Sequence, residues 1–277
     1  MSRFLTVFPF RPLTITSPYR SPAKILSYWH SPHTSKTRLP ILFIHGIGIG
    51  LYPYVNFLAD LNHANKLQDP DGKVGIIAIE IMSMSFRITN SALEKDEMCD
   101  EIQAILKTHG WEKFVLISHS YGSVISTHLL HHPELAYKIG PMLLIDPVSF
   151  LLHLPDVAYN FTCRRPKRAN EHQLYYFASK DMGVSHTLSR RFFWSENILW
   201  KHDIEGHRVT VALSGKDLIV DSTAVRRYLT DEKSPGPDVL WFKDLDHAQI
   251  FDSKRYRDIL VGVVRTYCAQ GHPYKLS

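Results

Sequence analysis

The sequence predicts an α/β fold in which a mostly parallel sheet carries helices on both faces. Short runs of β-branched and other apolar residues begin near Leu39 and alternate with amphipathic helical patterns. Each run has strand length and is apolar almost throughout, which is typical of strands buried on both faces. Ligands of such sheets bind at the carboxyl ends of the strands, so we expect the functional residues to lie there.

The predicted elements follow one another in a regular order. Apolar runs predict strands at Ile41–Ile44, Val74–Ile81, Phe114–Ile117, Met142–Ile145, Val209–Leu213 and Val239–Phe242. Amphipathic patterns predict helices at Tyr54–Asn62, Glu94–His109, Gly122–His132, Ser222–Thr230 and Tyr256–Gln270. The first 40 residues are rich in proline and favour edge strands and turns, including a strand-like piece at Leu13–Thr16.

One interval, between the strand that ends near Asp146 and the strand that begins near Val209, is too long for a simple crossover. It is rich in aromatic residues, which predicts the core of a small helical subdomain whose inner face also lines an apolar pocket. We therefore expect an α/β core formed by residues 1–148 and 205–277 and a helical cap at residues 149–204.

The composition is that of an ordinary globular protein. The chain has 277 residues, of which 44% are hydrophobic and 21% charged, so it can bury a large core and is too apolar for a disordered chain. No stretch reaches the roughly 20 consecutive apolar residues of a spanning helix, and Pro9 and Pro12 interrupt any secretory signal. We expect a cytoplasmic protein without a transmembrane segment, for which peripheral membrane contact stays open.

Charge and cysteine usage argue against nucleic-acid and metal binding. The net charge is +5, but the basic residues are dispersed, and the densest cluster, Cys163–Arg168, is typical of a solvated loop. Cys99, Cys163 and Cys268 lie far apart without the spacing of metal ligands, which favours reduced thiols. We expect no cofactor and no metal, and no spacing predicts the oligomeric state.

The segment Lys113–Leu130 has the pattern of a nucleophile elbow. An apolar strand leads into Ser118-His119-Ser120-Tyr121-Gly122, and an apolar helical pattern follows. A serine at the tip of such a turn has an exposed hydroxyl, provided that small residues two positions away let strand and helix approach. Gly122 meets this requirement. Ser118 stands where glycine is usual, and we interpret it as a tolerated small residue.

The order of the motifs resembles that of the α/β-hydrolase superfamily, from about Leu39 to the C-terminus. The resemblance rests on His45-Gly46 after an early strand, the elbow serine, an acid after a late strand and a histidine after the last strand. The segment "FIHGIGIGLYPYVNFL" is similar to a fungal branch of that superfamily. The resemblance implies an α/β-hydrolase fold and a Ser-His-Asp mechanism, and it does not imply a substrate.

The resemblance also assigns an acid and a base by position. Asp217 lies just past an apolar strand, where the superfamily acid is expected, and Asp146, at the end of an earlier strand, is the alternative. Asp221 is explained by an N-cap of the next helix. His247 is the expected base, because it lies between the last strand and the C-terminal helix.

The other histidines near these motifs are expected to be structural. His128, His131 and His132 have helical spacing but lack the carboxylate of a zinc motif. His119 adjoins the elbow serine, and neighbours on a tight turn point apart. His45 is expected to order the glycine turn through a hydrogen bond.

The glycine-rich stretch Ile41–Gly50 is compatible with a phosphate loop or with an oxyanion loop. Neither Gly46 nor Gly48 begins a GxGxxG pattern, and no Gly-Lys-Ser/Thr ending follows, so the spacing excludes the phosphate interpretation. Acyl chemistry needs two backbone donors for the oxyanion. The expected donors are the amides of Tyr121, directly after the nucleophile, and Ile47, in the glycine turn.

The predicted function is cleavage of a carboxylic ester, lactone or thioester with an apolar acyl part by Ser120, His247 and Asp217. A non-hydrolytic small-molecule binder or receptor on the same fold is the alternative, because members of the superfamily have been recruited to binding roles. Haloalkane and epoxide hydrolysis are disfavoured, since those branches place aspartate at the position of the serine. The expected partner is an apolar or lipid-like ester.

Overall fold

The protein is built on one eight-stranded sheet, and the computed structural model describes residues 8–12, 19–64, 71–231 and 236–269. The strands are β1 (Phe8–Phe10), β2 (Ser27–Ser31), β3 (Ile41–Ile44), β4 (Ile76–Glu80), β5 (Phe114–His119), β6 (Ile139–Ile145), β7 (Val209–Ser214) and β8 (Asp238–Phe242). Their spatial order is β1-β2-β4-β3-β5-β6-β7-β8. The strands β3 to β8 pair in parallel, and β2 runs antiparallel to β1 and β4.

Helices connect the parallel strands, as the crossover geometry of such sheets requires. Within the described residues they are α1 (Val55–Ala64), α2 (Lys95–Thr108), α3 (Gly122–His131), α4 (Pro155–Ala158), α5 (Ala169–Leu174), α6 (Met182–Arg190), α7 (Trp194–Asn197), α8 (Ser222–Leu229) and α9 (Lys254–Cys268). As expected, Asp221 caps α8, because its carboxylate accepts a hydrogen bond from the Ala224 amide at 3.0 Å.

The sheet separates two hydrophobic cores. Alternate side chains of a strand point to opposite faces, so Ile41 and Phe43 enter one core with α1 and α9, whereas Leu42 and Ile44 enter the other with α2 and α3. All four side chains are fully buried. This two-sided burial explains why the central strands are apolar without alternation.

The predicted α/β class and mostly parallel sheet are confirmed. The proline-rich N-terminal region supplies the edge strand β1 and its neighbour β2. The piece predicted at Leu13–Thr16 lies outside the described residues. Boundaries differ by a few residues. The predicted strand Val74–Ile81 pairs only over β4, because Ile81 leads directly into a 3-10 turn at Met82–Met84.

The 56 residues at 149–204 lie between β6 and β7, and we call them the insertion. Besides α4 to α7, the insertion contains π-helical turns at Tyr159–Cys163 and Tyr175–Ser179 and a 3-10 helix at Lys201–Ile204. It contains no strand, and the structure describes all of it.

None of the described helices combines the length and the apolar character that a membrane span requires. All three cysteines are free, with Cys99 and Cys268 buried and Cys163 exposed.

Candidate active site at the carboxyl ends of the strands

Ser120 occupies a strained turn between β5 and α3. Its φ is +52°, a left-handed conformation that is rare for residues with a side chain. The turn is possible because α3 starts at a glycine: a Cβ at Gly122 would lie 2.5 Å from the carbonyl oxygen of Ile44. Ser118 fits the position where glycine is usual, since its hydroxyl is buried and accepts a hydrogen bond from Ser126 at 2.9 Å.

Three predicted residues meet beside this turn. The Nε2 atom of His247 lies 2.9 Å from Oγ of Ser120, and its Nδ1 atom lies 2.6 Å from Oδ2 of Asp217. The other oxygen of Asp217 accepts hydrogen bonds from the amides of Ile219 at 2.7 Å and Val220 at 2.9 Å. The carboxylate is therefore fixed in orientation and fixes the imidazole in turn.

The charges around His247 favour its protonated form. Burial alone would lower its pKa, but the charge and hydrogen bond of Asp217, together with Asp146 and Asp246, outweigh burial and raise the pKa from 6.5 to about 9. The carboxylate partner also sets the tautomer, because Nδ1 must carry the proton that Asp217 accepts. The lone pair of neutral Nε2 is then directed at the Ser120 hydroxyl.

Asp146, the alternative acid, lies close to this group but has other partners. Its carboxylate accepts hydrogen bonds from the amide and hydroxyl of Ser214, at 2.8 and 3.0 Å, and from the amide of Ala248 at 3.1 Å. Ala248 has a φ of +67°. Asp146 thus ties the ends of β6 and β7 to the strained residue that follows His247.

Burial raises the pKa of Asp146 from 3.8 to about 6. Asp146, Asp217 and His247 also offer three atoms within 4.8 Å of one another, a spacing compatible with metal binding. Both nitrogens of the imidazole, however, already face hydrogen-bond partners. The hydrogen-bonded arrangement accounts for the cluster without a metal.

Two residues beside Ser120 have backbone amides that are available to a ligand. Among the described residues, the amides of Ile47 and Tyr121 have no hydrogen-bond partner, and both residues line the cavity at Ser120. The neighbours of Ile47 are committed: the Gly46 amide donates to the hydroxyl of Tyr54 at 3.1 Å, and the Gly48 amide donates to the carbonyl of Met84 at 3.1 Å. Ile47 and Tyr121 therefore supply the uncommitted donors that an oxyanion would need.

Comparison with known proteins identifies the architecture. Residues 40–156 match the model of a family described as alpha/beta hydrolase fold. The eight-stranded, mostly parallel sheet and the strained turn at Ser120 agree with this match. The chain has the α/β-hydrolase fold. No curated protein sequence matches it.

Solved structures with the same α/β-hydrolase fold cover most of the chain. A carboxylesterase of the thaumarchaeon Nitrososphaera gargenis has a TM-score of 0.59 and 16% identity over 89% of this chain and 97% of its own. A meta-cleavage product hydrolase from Pseudomonas fluorescens has a TM-score of 0.58 and 17% identity, over 87% and 94%. A carboxylesterase from Bacillus subtilis has a TM-score of 0.57 and 13% identity, over 87% of both chains. Resemblance to the fungal branch of the α/β-hydrolases stays a prediction.

A cavity of about 510 Å³ opens from Ser120 of this α/β-hydrolase fold into the insertion. Apolar side chains dominate its wall, and among the described residues no Asp, Glu, Lys or Arg lines it. Prominent lining residues are Val148, Leu152, Val157, Phe161, Leu188 and Phe192. The aromatic-rich interval thus lines an apolar cavity. Most of its aromatic side chains, such as Tyr159, Tyr176 and Trp194, are exposed, and Phe161 and Phe192 pack against the core of the sheet instead of forming a separate core.

Tyr54 is a residue of the site that the sequence did not reveal. Its hydroxyl accepts a hydrogen bond from the Gly46 amide and lies 2.7 Å from Nδ1 of His119, so it connects the glycine turn to the elbow. Burial, with the charges of His247 and His45, lowers the pKa of His119 well below 6.5 and keeps it neutral. The tyrosine lies in a 3-10 turn with no motif of its own, and no sequence signal marks this contact.

His45 makes the hydrogen bonds that its position suggested. Its Nε2 atom accepts from the Ile81 amide at 2.9 Å, so Nδ1 carries the proton and donates to the carbonyl of Gly46 at 2.6 Å. His45 therefore clamps the glycine turn to the residue that follows β4.

Proposed function

We propose that the protein is a serine hydrolase that cleaves a carboxylic ester, lactone or thioester with an apolar acyl part. The observation that carries the proposal is the continuous hydrogen-bonded line Asp217–His247–Ser120, with distances of 2.6 and 2.9 Å, at the floor of an apolar cavity. A nucleophile, a base and a group that orients the base form the arrangement needed for covalent acyl transfer.

Acylation begins when the Ser120 oxygen attacks the acyl carbon of the substrate. His247 Nε2 takes the hydroxyl proton, and Asp217 stabilises the resulting imidazolium. The carbonyl oxygen becomes an oxyanion, to which the amides of Ile47 and Tyr121 donate. His247 then returns the proton to the leaving alkoxide or thiolate, and the acyl group stays on Ser120.

Deacylation repeats these steps with water. His247 removes a proton from a water molecule, the hydroxide oxygen attacks the acyl carbon, and the same two amides stabilise the second oxyanion. Collapse of this intermediate transfers the proton to Ser120 and releases the carboxylic acid. No cofactor takes part in this scheme.

The insertion serves as the cap of the active site in this proposal. Residues 1–148 and 205–277 form the catalytic core, and the cap at 149–204 supplies most of the wall against which the acyl chain packs. The described part of this wall has no Asp, Glu, Lys or Arg, which favours a neutral apolar group over a carboxylate because an unpaired buried charge is costly. Carboxylesterases among the similar structures support an ester as substrate.

A panel of p-nitrophenyl esters with acyl chains of increasing length tests the proposal. We expect the wild type to release p-nitrophenol, and Ser120→Ala and His247→Ala to lower kcat by roughly a thousandfold or more. Ser195→Ala, in an exposed part of the insertion, is the matched control and should retain wild-type rates. Hydrolysis of none of the esters by the wild type, or equal rates for Ser120→Ala, would contradict it.

A further inference from the structure

Three aromatic rings form an exposed cluster where the insertion meets the loop after β4. The ring of Phe86 lies 5.2 Å from that of Phe177 and 5.8 Å from that of Tyr176, and the latter two rings lie 4.9 Å apart. None of the three belongs to either hydrophobic core, and Tyr176 is 64% exposed. The three rings therefore pack against one another at the surface instead of being buried in a core.

The backbone holds one of these rings at the surface at a cost. Phe86 has a φ of +52°, a left-handed conformation in which a bulky residue is an outlier. Strain of this kind persists where the surrounding structure maintains it, and it clusters at functional positions. The backbone conformation of the loop therefore fixes the exposed position of Phe86.

Two more exposed apolar side chains lie near the cluster along the chain. Met182 is 71% exposed at the start of α6, and Ile88, two residues after Phe86, is 95% exposed. The start of α6 lies against the loop after β4, because a Cβ at Gly183 would be 2.8 Å from the carbonyl oxygen of Ser83. We call Phe86, Ile88, Tyr176, Phe177 and Met182 the apolar patch.

A surplus of positive charge accompanies the apolar patch. Residues 157–192 contain seven basic residues and two acidic ones, Glu171 and Asp181. Both carboxylates are engaged by backbone amides: Glu171 accepts from Lys167 at 2.7 Å and Arg168 at 3.0 Å, and Asp181 accepts from Val184 at 3.0 Å. Both acidic side chains of this segment therefore accept hydrogen bonds from backbone amides at or near the starts of helices.

Lys180 joins the basic segment to the patch. Its Nζ atom lies 5.2 Å from the centre of the Tyr175 ring, next to Tyr176, and donates to the carbonyl of Thr162 at 3.4 Å. Thr162 directly precedes the basic run 163–168, in which Arg165 and Lys167 are exposed. Aromatic and basic side chains thus share one region of the insertion.

We propose that this region of the insertion docks on an anionic phospholipid bilayer. Aromatic rings are favoured at the level of the lipid headgroups, where an apolar body and a polar edge are both satisfied. Lysine and arginine are attracted to the negative surface potential of anionic lipids. A purely ionic partner would leave the apolar patch in water, whereas an anionic bilayer satisfies both sets of side chains.

The entrance of the cavity lies in the same insertion. Leu154 and Trp194 line the cavity and are also exposed. The segment proposed to dock thus belongs to the same insertion that supplies most of the wall of the apolar cavity. The docking itself depends only on the surface and is independent of catalysis.

Co-sedimentation of the 277-residue chain with vesicles of phosphatidylcholine, with and without 30 mol% phosphatidylglycerol, tests the proposal. We expect binding to the anionic vesicles that weakens as salt is raised, because salt screens surface charges. Arg165→Gln with Lys167→Gln should lower the partition coefficient about fivefold for each charge removed. Tyr176→Ser with Phe177→Ser should lower it roughly tenfold or more.

Matched controls lie at the opposite end of the sheet. Lys107→Gln with Lys113→Gln makes the same charge change before β5, and Tyr137→Ser removes an exposed ring before β6. Both controls should bind as the wild type does, and circular dichroism melts check that all variants are folded. Equal loss in the controls, or equal binding to both vesicle types, would overturn the proposal. The proposal would also be overturned if the wild type formed a concentration-dependent dimer, and if Tyr176→Ser with Phe177→Ser abolished that dimer without changing vesicle binding. The apolar patch would then be a contact between two copies of the chain.

Discussion

The charge of Asp217 governs the protonation expected of His247. Burial disfavours the imidazolium, yet the carboxylate 2.6 Å from Nδ1 reverses this effect and raises the pKa of the histidine. A base acts only in its neutral form. The electrostatics that hold His247 in place therefore also determine the pH at which it can accept a proton from Ser120.

We predict that kcat/KM rises with pH along a limb whose midpoint lies above 6.5, the ordinary pKa of histidine. Because the pKa is raised, neutral imidazole becomes abundant only as the pH passes this higher value. Asp217→Asn removes the charge and should shift the limb downward, while lowering kcat by about 10⁴-fold. Stopped-flow pH profiles of both proteins measure the shift, and a limb at the same pH in both would be inconsistent with this role of Asp217.

Asp146 is expected to position the histidine loop. Asp146→Ala leaves three donors, the Ser214 amide and hydroxyl and the Ala248 amide, without their acceptor. Each unsatisfied buried donor costs about 1–3 kcal/mol, so we predict a lower melting temperature and a kcat loss smaller than that of Asp217→Ala. Thermal melts and initial rates of Asp146→Ala and Asp217→Ala, measured side by side, test this prediction. A larger loss of kcat in Asp146→Ala than in Asp217→Ala would identify Asp146 as the acid.

Sequence and structure agree best for residues that directly follow a strand. Ser120 could be predicted from its pattern of strand, turn and helix, and Asp217 and His247 from positions that the family resemblance assigns after late strands. The contacts of Tyr54 with Gly46 and of Asp146 with Ala248 could not, since they depend on how separate loops approach one another. Contacts between loops that are distant in the chain leave no pattern in the local sequence.

At the scale of elements, the loop after β3 is held from both sides of Ile47. Tyr54 binds the amide of Gly46, Met84 binds the amide of Gly48, and His45 binds the carbonyl of Gly46. The loop lies so close to the elbow that a Cβ at Gly46 would be 2.7 Å from the Cβ of Ser120. In the proposed mechanism, a shift of this loop would therefore change the positions of both the oxyanion donor and the nucleophile.

Replacement of Gly46 by alanine should slow acylation by roughly a hundredfold, since removing one oxyanion donor costs about that much. The methyl group would lie 2.7 Å from the Cβ of Ser120 and 2.9 Å from Nδ1 of His119, so the elbow or the turn that carries the Ile47 amide must shift. Gly262→Ala is the control, because a Cβ in that part of α9 meets nothing within 4 Å. Burst kinetics with a p-nitrophenyl ester report acylation, and an unchanged burst rate in Gly46→Ala would place the oxyanion donor elsewhere.

From Ile41 onward, the strands and the long helices of the α/β core were predicted to within a few residues, because their apolar runs and amphipathic patterns reflect burial. The irregular elements of the insertion were not. Its short helices and π-helical turns, such as Tyr159–Cys163 and Tyr175–Ser179, expose many of their side chains. With little burial, periodicity gives no clear signal for where such elements begin or end.

At the scale of the whole molecule, the insertion closes an apolar cavity over the edge of the sheet. The length and aromatic content of residues 149–204 predicted a helical unit with an apolar inner face. The cavity volume of about 510 Å³ could not be predicted, because it depends on the distance between the short helices and the elbow. Substrate size is therefore a property of the packed structure.

Filling the cavity should change the preferred acyl chain. Val157→Trp places a large ring in the wall formed by α4, and we predict that the ratio of kcat/KM for long-chain to short-chain esters falls at least tenfold. Ile259→Trp, at an exposed position of α9, adds the same ring outside the cavity. A chain-length profile of Val157→Trp identical to those of the wild type and Ile259→Trp would exclude this cavity as the acyl site.

The central claim is that Ser120 is a nucleophile activated by His247. Intact-protein mass spectrometry after treatment with a fluorophosphonate, followed by peptide mapping, tests it most directly. The account predicts a single adduct, located on Ser120, that is absent from Ser120→Ala and forms far more slowly in His247→Ala. An unmodified wild type, or an adduct on another residue, would contradict it.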